Sequence, residues 1–237
     1  MSVLKAAFLP PTLFTLLLTA GCATGQGGRL SLLSPGIRSG AQSPRSLGGG
    51  WLALCKTGGS MWTLQPTALQ TRRVHDEQVD QPGERTGREI RSDRPSAFCL
   101  LRHKDLQPGN VPAADFGTLQ SAGTNLLNRM GFGTTVVFSV DSYLLRATDS
   151  AQNQSNYTLS VSVNGGTPQT LGDFERGIEP AFESVVLVWA GDLNRDGVAD
   201  FLFEHKSFNR RAQSLYLSTR AGGGYQKAGH DAWTDSE

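Results

Sequence analysis

Charge and cysteine are both scarce in this chain of 237 residues, and each scarcity excludes a class of protein. The formal net charge is +1, and without residues 1–21, whose one charged side chain is Lys5, the chain carries 21 basic and 21 acidic side chains. Nucleic acids and anionic lipids both attract positive proteins, so neutrality argues against either as the main partner. Only three cysteines occur, without a Cys-x-x-Cys pair, which argues against a thiolate zinc site.

Long apolar runs, repeats and catalytic motifs are also missing. The main apolar run, residues 6–18, is shorter than the roughly 20 residues that a membrane-spanning helix needs. No repeat of about 20–50 residues is present, which excludes a solenoid or another repeat array. The four histidines lack metal-site spacing, and no Gly-x-Ser-x-Gly or phosphate loop occurs. Since no nucleophile is paired with a base, we predict a protein that is not an enzyme.

The N-terminus is typical of an export signal. One basic residue precedes an apolar run that ends in small residues and Cys22, which predicts a signal peptide over residues 1–21. The sequence Leu-Thr-Ala-Gly-Cys at residues 18–22 resembles the bacterial lipobox, although Thr19 replaces the usual leucine. The resemblance implies cleavage before Cys22 and acylation of its thiol. The alternative is ordinary secretory cleavage near Ala20 or Ala23, which would leave Cys22 as a free thiol.

The residue after Cys22 bears on the location of the protein. It is Ala23 and not aspartate, and by resemblance to lipoprotein sorting rules this implies the periplasmic face of the outer membrane. Residues 22–50 are predicted to be the lipidated cysteine and a flexible tether, because they are rich in Gly, Ser, Gln and Pro. Such a tether spans roughly 30 Å root-mean-square.

Two further cysteines lie in strand-like apolar segments. Exported cysteine pairs usually form disulfides, so we predict a Cys55–Cys99 bridge. Closing a loop of about 45 residues stabilises a fold by about 4 kcal/mol in the chain-entropy model. The alternative is a pair of buried free thiols.

The remaining chain predicts a mainly β fold over residues 51–228, followed by a polar tail, residues 229–237. Short apolar runs separated by turn residues favour antiparallel hairpins packed into a small sandwich or open barrel. Residues 75–95 are charged and predict a long exposed loop, and residues 119–131 allow at most one short helix.

One acidic segment suggests a metal site. Counted from Asp192, side-chain oxygens occur at positions 1, 3, 5 and 9, on Asp192, Asn194, Asp196 and Asp200, with a glycine at position 6. Alternate positions of a tight loop point inward together, and the Val198 carbonyl at position 7 supplies another oxygen. Calcium prefers six to eight oxygen ligands, so this spacing predicts a calcium site.

This loop resembles the calcium loops of the FG-GAP or VCBS type over residues 185–218. An EF-hand would need glutamate at position 12, where Phe203 stands, and the flanking segments are strand-like and not helical. In the resembled family the ligands correspond to the five residues of the predicted site. The resemblance supports the loop and not a propeller, because the chain has one such segment. The alternative is an Asx-rich surface turn without an ion.

These features predict a membrane-anchored, non-catalytic periplasmic lipoprotein with one structural calcium ion and a binding or accessory role. One version is an immunity protein that binds a protein partner, a secreted type VI-like toxin, in the periplasm. The alternative to this prediction is a calcium-dependent hydrolase or a glycan-binding protein.

Overall fold

The computed structural model describes residues 30–39, 47–59, 61–77, 79–114, 133–150, 153–175, 184–207, 210–219 and 224–234. Most of these residues form strands. In chain order they are β1 (Ser31–Leu33), β2 (Gly36–Arg38), β3 (Trp51–Gly58), β4 (Met61–Thr67), β5 (Leu69–Val74), β6 (Gly87–Ser92), β7 (Ala97–Arg102), β8 (Gly109–Val111), β9 (Gly133–Phe138), β10 (Asp141–Ser150), β11 (Asn153–Val163), β12 (Gln169–Glu175), β13 (Ser184–Gly191), β14 (Asp200–Ser207), β15 (Arg210–Thr219) and β16 (Gly224–Thr234).

The strands assemble into four antiparallel sheets. Their orders are β1-β7-β3-β4-β8, β12-β11-β10-β9, β13-β14-β15-β16 and β2-β6-β5. The prediction of a mainly β fold built from antiparallel hairpins is confirmed. The described residues contain no helix, and so none that could cross a membrane. The predicted helix at residues 119–131 lies outside them, and the choice between sandwich and open barrel stays a prediction.

Three cores lie between the sheets. Leu145 and Val161 of the β9–β12 sheet pack with Phe201 and Phe203 of β14. The intervening Leu202 faces a second core, shared with the five-stranded sheet. Successive side chains of a strand point to opposite faces, so β14 is buried on both, which explains its apolar start.

The third core joins the five-stranded sheet to the small β2-β6-β5 sheet. Ala53 and Leu100 of the larger sheet pack with Ile90 of β6. The prediction of an exposed loop over residues 75–95 is therefore wrong for Gly87–Ser92, which forms β6. Ile90 is buried, so this segment forms a strand although charged residues surround it in the sequence.

The predicted Cys55–Cys99 disulfide is wrong, because both cysteines are buried free thiols. They lie on the adjacent strands β3 and β7, but Cys99 is opposite Leu54 in the register. Side chains opposite each other share a face, so Cys99 faces the second core with Leu54, and Cys55 faces the third core. Burial also raises the pKa of the Cys99 thiol.

Part of the predicted tether belongs to the fold, where it forms β1 and β2. Leu30, Leu32 and Leu33 are buried, and β1 pairs with β7 in the five-stranded sheet. These leucines supply apolar surface for the fold. The Gly- and Ser-rich composition of the segment as a whole predicted a tether instead. Strand β16 likewise extends into the predicted polar tail up to Thr234.

Candidate metal site

The acidic loop connects β13 to β14 and is fixed at its start by a neighbouring segment. The Asp192 N–H donates to the Pro112 carbonyl at 2.8 Å, and the Ala114 N–H donates to the Ala190 carbonyl at 3.0 Å. Gly191 lies so close to this segment that a Cβ atom there would collide with the Pro112 carbonyl oxygen. The first ligand position is therefore held by backbone contacts from residues 112–114.

Asp192 organises the turn itself. Its side chain is buried, Oδ1 accepts the Asp196 N–H at 2.9 Å, and Oδ2 accepts the Gly197 N–H at 2.8 Å. The backbone turns sharply at two residues with positive φ, Arg195 at 59° and Gly197 at 89°. The glycine thus lies where the sequence pattern requires one, since it adopts positive φ without steric cost.

Asp200 is the most buried carboxylate of the loop, with 0% exposure. Oδ2 accepts the Leu193 N–H at 2.7 Å, and Oδ1 accepts the Ser218 N–H at 2.8 Å. Burial raises the pKa of Asp200 to about 7, the nearby Asp192 carboxylate adds to the increase, and the hydrogen bonds from Ser218 and Leu193 oppose it. The folded chain therefore disfavours a negative charge at Asp200.

Ser218 links two of the carboxylates. Its Oγ lies 2.9 Å from Asp196 Oδ2 and 2.9 Å from Asp200 Oδ1. A hydroxyl has one hydrogen, so Ser218 can donate to only one of them at a time. Each oxygen also accepts an N–H group, Asp196 Oδ2 from Asn194 Nδ2 and Asp200 Oδ1 from the Ser218 backbone. Either a proton or a cation would offset the negative charge that remains.

Asn194 completes the cluster with its amide. Asn194 Nδ2 donates to Asp196 Oδ2 at 3.2 Å and to the Ser218 carbonyl at 3.1 Å, while its Oδ1 accepts the Asp196 N–H at 3.2 Å. The Val198 N–H donates to Asp196 Oδ1 at 2.9 Å. The structure thus brings the predicted side chains into one connected network.

Two tyrosines hold the backbone just before Asp200. The Ala199 N–H donates to the Tyr143 hydroxyl at 3.4 Å, and the Tyr225 hydroxyl donates to the Ala199 carbonyl at 3.0 Å. Neither Tyr143, Tyr225 nor Ser218 was predicted from sequence. Ser218 is 18 residues from Asp200 and reaches the loop only because β15 pairs with β14 as far as Phe201 and Tyr216, which no local motif signals.

The charge of the cluster is not balanced by a basic side chain. In the described ranges, no Lys or Arg forms an ion pair with Asp192, Asp196 or Asp200. Arg195 is exposed, and its Nη2 donates to the Pro108 carbonyl at 2.9 Å. Carboxylate, amide and hydroxyl oxygens around buried negative charge are the donors that a hard cation prefers, so the residues fit calcium chemically.

In the described part of the chain, no group of three or more His, Cys, Asp and Glu side chains is arranged to hold a metal ion, and this includes Asp192, Asp196 and Asp200. A cavity of about 440 Å³, lined in part by Asp192 and Gly197, opens beside the loop.

The predicted lipidation residue, Cys22, lies outside the described residues. Comparison of the chain with protein-family models, with curated proteins and with solved structures returned no match.

Proposed function

We propose that this chain is a non-catalytic, membrane-anchored periplasmic lipoprotein whose acidic loop binds one structural calcium ion in support of a binding or accessory role. The observation that carries the calcium proposal is the shared hydroxyl of Ser218. Asp196 and Asp200 both approach it at 2.9 Å, while among the described residues no basic side chain forms an ion pair with either.

The residues that would hold the ion are those of the predicted site, Asp192, Asn194, Asp196, the Val198 carbonyl and Asp200. The ion would supply positive charge and offset the repulsion among three carboxylates. Their hydrogen bonds already connect the β13–β14 turn to Ser218 at the end of β15. Binding would therefore stabilise the pairing of three strands at once.

Calorimetric titration of residues 23–237 tests the calcium proposal. We expect one ion per chain with an affinity near that of the weaker extracellular modules, on the order of 10⁻⁴ M. Asp192→Ala should abolish the heat, whereas Asp105→Ala, at an exposed aspartate outside the loop, should not. Equal titration curves for the two variants would rule out this loop as the site.

The anchor would hold the domain closer to the membrane than the full predicted tether allows. Residue 30 is already packed in the fold, so only eight residue steps separate Cys22 from it. Palmitate labelling checks the anchor directly: the wild type should incorporate label, and Cys22→Ser should leave the membrane fraction. An unlabelled wild type with an unchanged distribution of the variant would contradict the lipobox assignment.

The finer form of the fold is part of the same proposal. We infer a sandwich between the β9–β12 sheet and the β13–β16 sheet, because Leu145 and Val161 share a core with Phe201 and Phe203. The acidic loop would then lie at one end of the sandwich. Loops at such ends are free to carry function while the sheets hold their positions.

A further inference from the structure

Each of the four sheets has two edge strands, whose outer sides have no partner strand among the described residues. These edge strands are β1, β8, β12, β9, β13, β16, β2 and β5. An exposed edge can pair with another chain, and proteins block most edges with short strands, charged side chains, proline or bulges. An edge without any of these features is open to pairing.

All but one of these edge strands carry a blocking feature. Strands β1, β2 and β8 have only three residues each. Strand β5 carries two arginines, β12 an aspartate and a glutamate, and β16 a lysine and an aspartate. Strand β12 also contacts β16, so these two edges lie near each other. Strand β13 has a bulge between Leu187 and Trp189, and its Gly191 forms a bridge with Ala113.

Strand β9 is the exception. Its six residues, Gly-Thr-Thr-Val-Val-Phe, include no charge and no proline, and its pairing with β10 continues without a bulge. Val136 and Phe138 are buried in the first core, whereas Val137 between them is 60% exposed. The strand is thus held in place by its inner face, while nothing in its sequence blocks its outer edge.

The turn that follows β9 adds exposed apolar surface. Ser139 has a φ of 59°, and Val140 beside it is 90% exposed, the most exposed large apolar side chain in the described ranges. A single exposed valine needs no explanation. Here, however, Val137 and Val140 lie together at the end of an unblocked edge, which is a surface suited to contact with another molecule.

The cavity beside the acidic loop adjoins this edge. Its volume is about 440 Å³, and it is lined by residues 137–139 at the end of β9, by residues 112–114, and by Asp192 and Gly197. Its apolar walls could enclose a side chain from a strand that pairs with β9. The carboxylate of Asp192 makes an acidic side chain unfavourable there.

Negative charge is concentrated at this end of β9. Burial raises the pKa of Tyr143, and the carboxylates of Asp141, Asp196 and Asp200 add to the increase, so all three lie near its hydroxyl. Together with Asp192 they outnumber the single arginine of the acidic loop. The excess of negative charge favours a neutral or basic partner over an acidic one.

We propose that β9 binds an extended, non-acidic segment of another polypeptide as an additional strand, with one side chain of that segment in the cavity. An extended backbone is the occupant because the N–H and C=O groups along a strand edge are matched by those of another strand. This inference deepens the proposed binding role and rests on it, but it requires neither calcium nor the lipid anchor.

Fluorescence anisotropy with labelled peptides in EDTA tests the contact on residues 23–237. The probe is an octapeptide of alternating threonine and valine with norleucine at one central position, and two further peptides carry lysine or glutamate there. We expect the norleucine and lysine peptides to bind. The glutamate peptide should bind about tenfold more weakly than the lysine peptide, because the carboxylates around the cavity repel it.

A matched pair of variants tests the edge itself. Val137→Lys should weaken binding of the norleucine peptide about tenfold or more, because a lysine on an edge strand blocks pairing. Val79→Lys is the control, since Val79 is 61% exposed and lies in the turn between β5 and β6. It should bind like the wild type.

Modified peptides test the backbone pairing without a change in the protein. Backbone N-methylation of alternate residues in the norleucine peptide removes the N–H donors of one of its edges. Of the two peptides made in this way, at least one should fail to bind, because an added strand uses one edge for its hydrogen bonds.

Five results would overturn the contact. They are a wild-type chain that ignores the norleucine and lysine peptides, an equal loss in the two variants, full binding of both methylated peptides, and equal binding of the glutamate and lysine peptides. The fifth is a wild-type dimer in sedimentation that Val137→Lys dissociates, which would assign the edge to a second copy of the chain. Because the chain is unacylated and the buffer contains EDTA, these outcomes are independent of calcium calorimetry and of palmitate labelling.

Discussion

Replacing Asp196 with asparagine should change the stability of the domain in opposite directions with and without calcium. Without calcium the substitution removes one of three negative charges and keeps an oxygen that can accept the Val198 N–H, as Asp196 Oδ1 does at 2.9 Å. The variant should then be more stable than the wild type. With calcium the variant has lost a charged ligand, so it should be less stable.

The size of the first effect follows from the geometry around Ser218. Its Oγ lies 2.9 Å from Asp196 Oδ2 and from Asp200 Oδ1, so these two oxygens are no more than 5.8 Å apart. Two unit charges about 6 Å apart repel by about 1 kcal/mol in water and about 3 kcal/mol at an effective dielectric constant of 20. We expect Asp196→Asn to be about 1 to 3 kcal/mol more stable in EDTA at a pH above 7, where Asp200 is ionised.

The size of the second effect follows from linkage. At about 10 mM calcium and a dissociation constant on the order of 10⁻⁴ M, binding stabilises the wild type by about 2.7 kcal/mol. For a chain of this size that raises the melting temperature by about 5 to 10 °C. The variant should show less than half of this increase.

Thermal melts of residues 23–237 in EDTA, calcium and magnesium measure both effects. Asp105→Asn is the matched control, because its side chain is 68% exposed and lies outside the loop. The control should follow the wild type in every condition. Identical melting temperatures for wild type and Asp196→Asn in EDTA and in calcium would refute the reasoning and leave the cluster an ordinary polar turn.

Three further predictions follow from the buried groups. In EDTA, burial raises the pKa of Asp200 from 3.8 to about 7, so the folded state binds more protons than the unfolded state between these values. Stability should therefore fall as pH rises through that window, by on the order of 4 kcal/mol, and a urea midpoint that rises from pH 5 to pH 8 would contradict this. Cys55 and Cys99 should resist alkylation in the native chain and both react after unfolding without reductant, whereas an intact mass two hydrogens lower would reveal a bridge. Gly229→Ala should cost about 1 to 3 kcal/mol in urea unfolding, because the added Cβ would lie 2.9 Å from Leu32 Cβ, and an unchanged midpoint would show that β1 does not pack there.

The class of the fold and the position of the candidate loop could both be predicted from the sequence alone. Alternation such as Leu159-Ser160-Val161 reports burial directly, because successive side chains of a strand face opposite ways. The loop could be located because Asp192 to Asp200 spans nine residues, and their convergence depends on local turns at Arg195 and Gly197. A structural feature that depends only on residues close together in the chain can be predicted from the sequence.

The tertiary structure decided everything that depends on pairing between distant strands. Cys55 and Cys99 are in suitable apolar strands, but the offset between β3 and β7 turns them to opposite faces. Ser218 reaches Asp200 across the β14–β15 pairing, and Arg88 comes beside Arg73 only through the register of β5 and β6. A shift of one residue in a register reverses the face of every side chain, so these contacts depend on how strands that are distant in the sequence align in the fold.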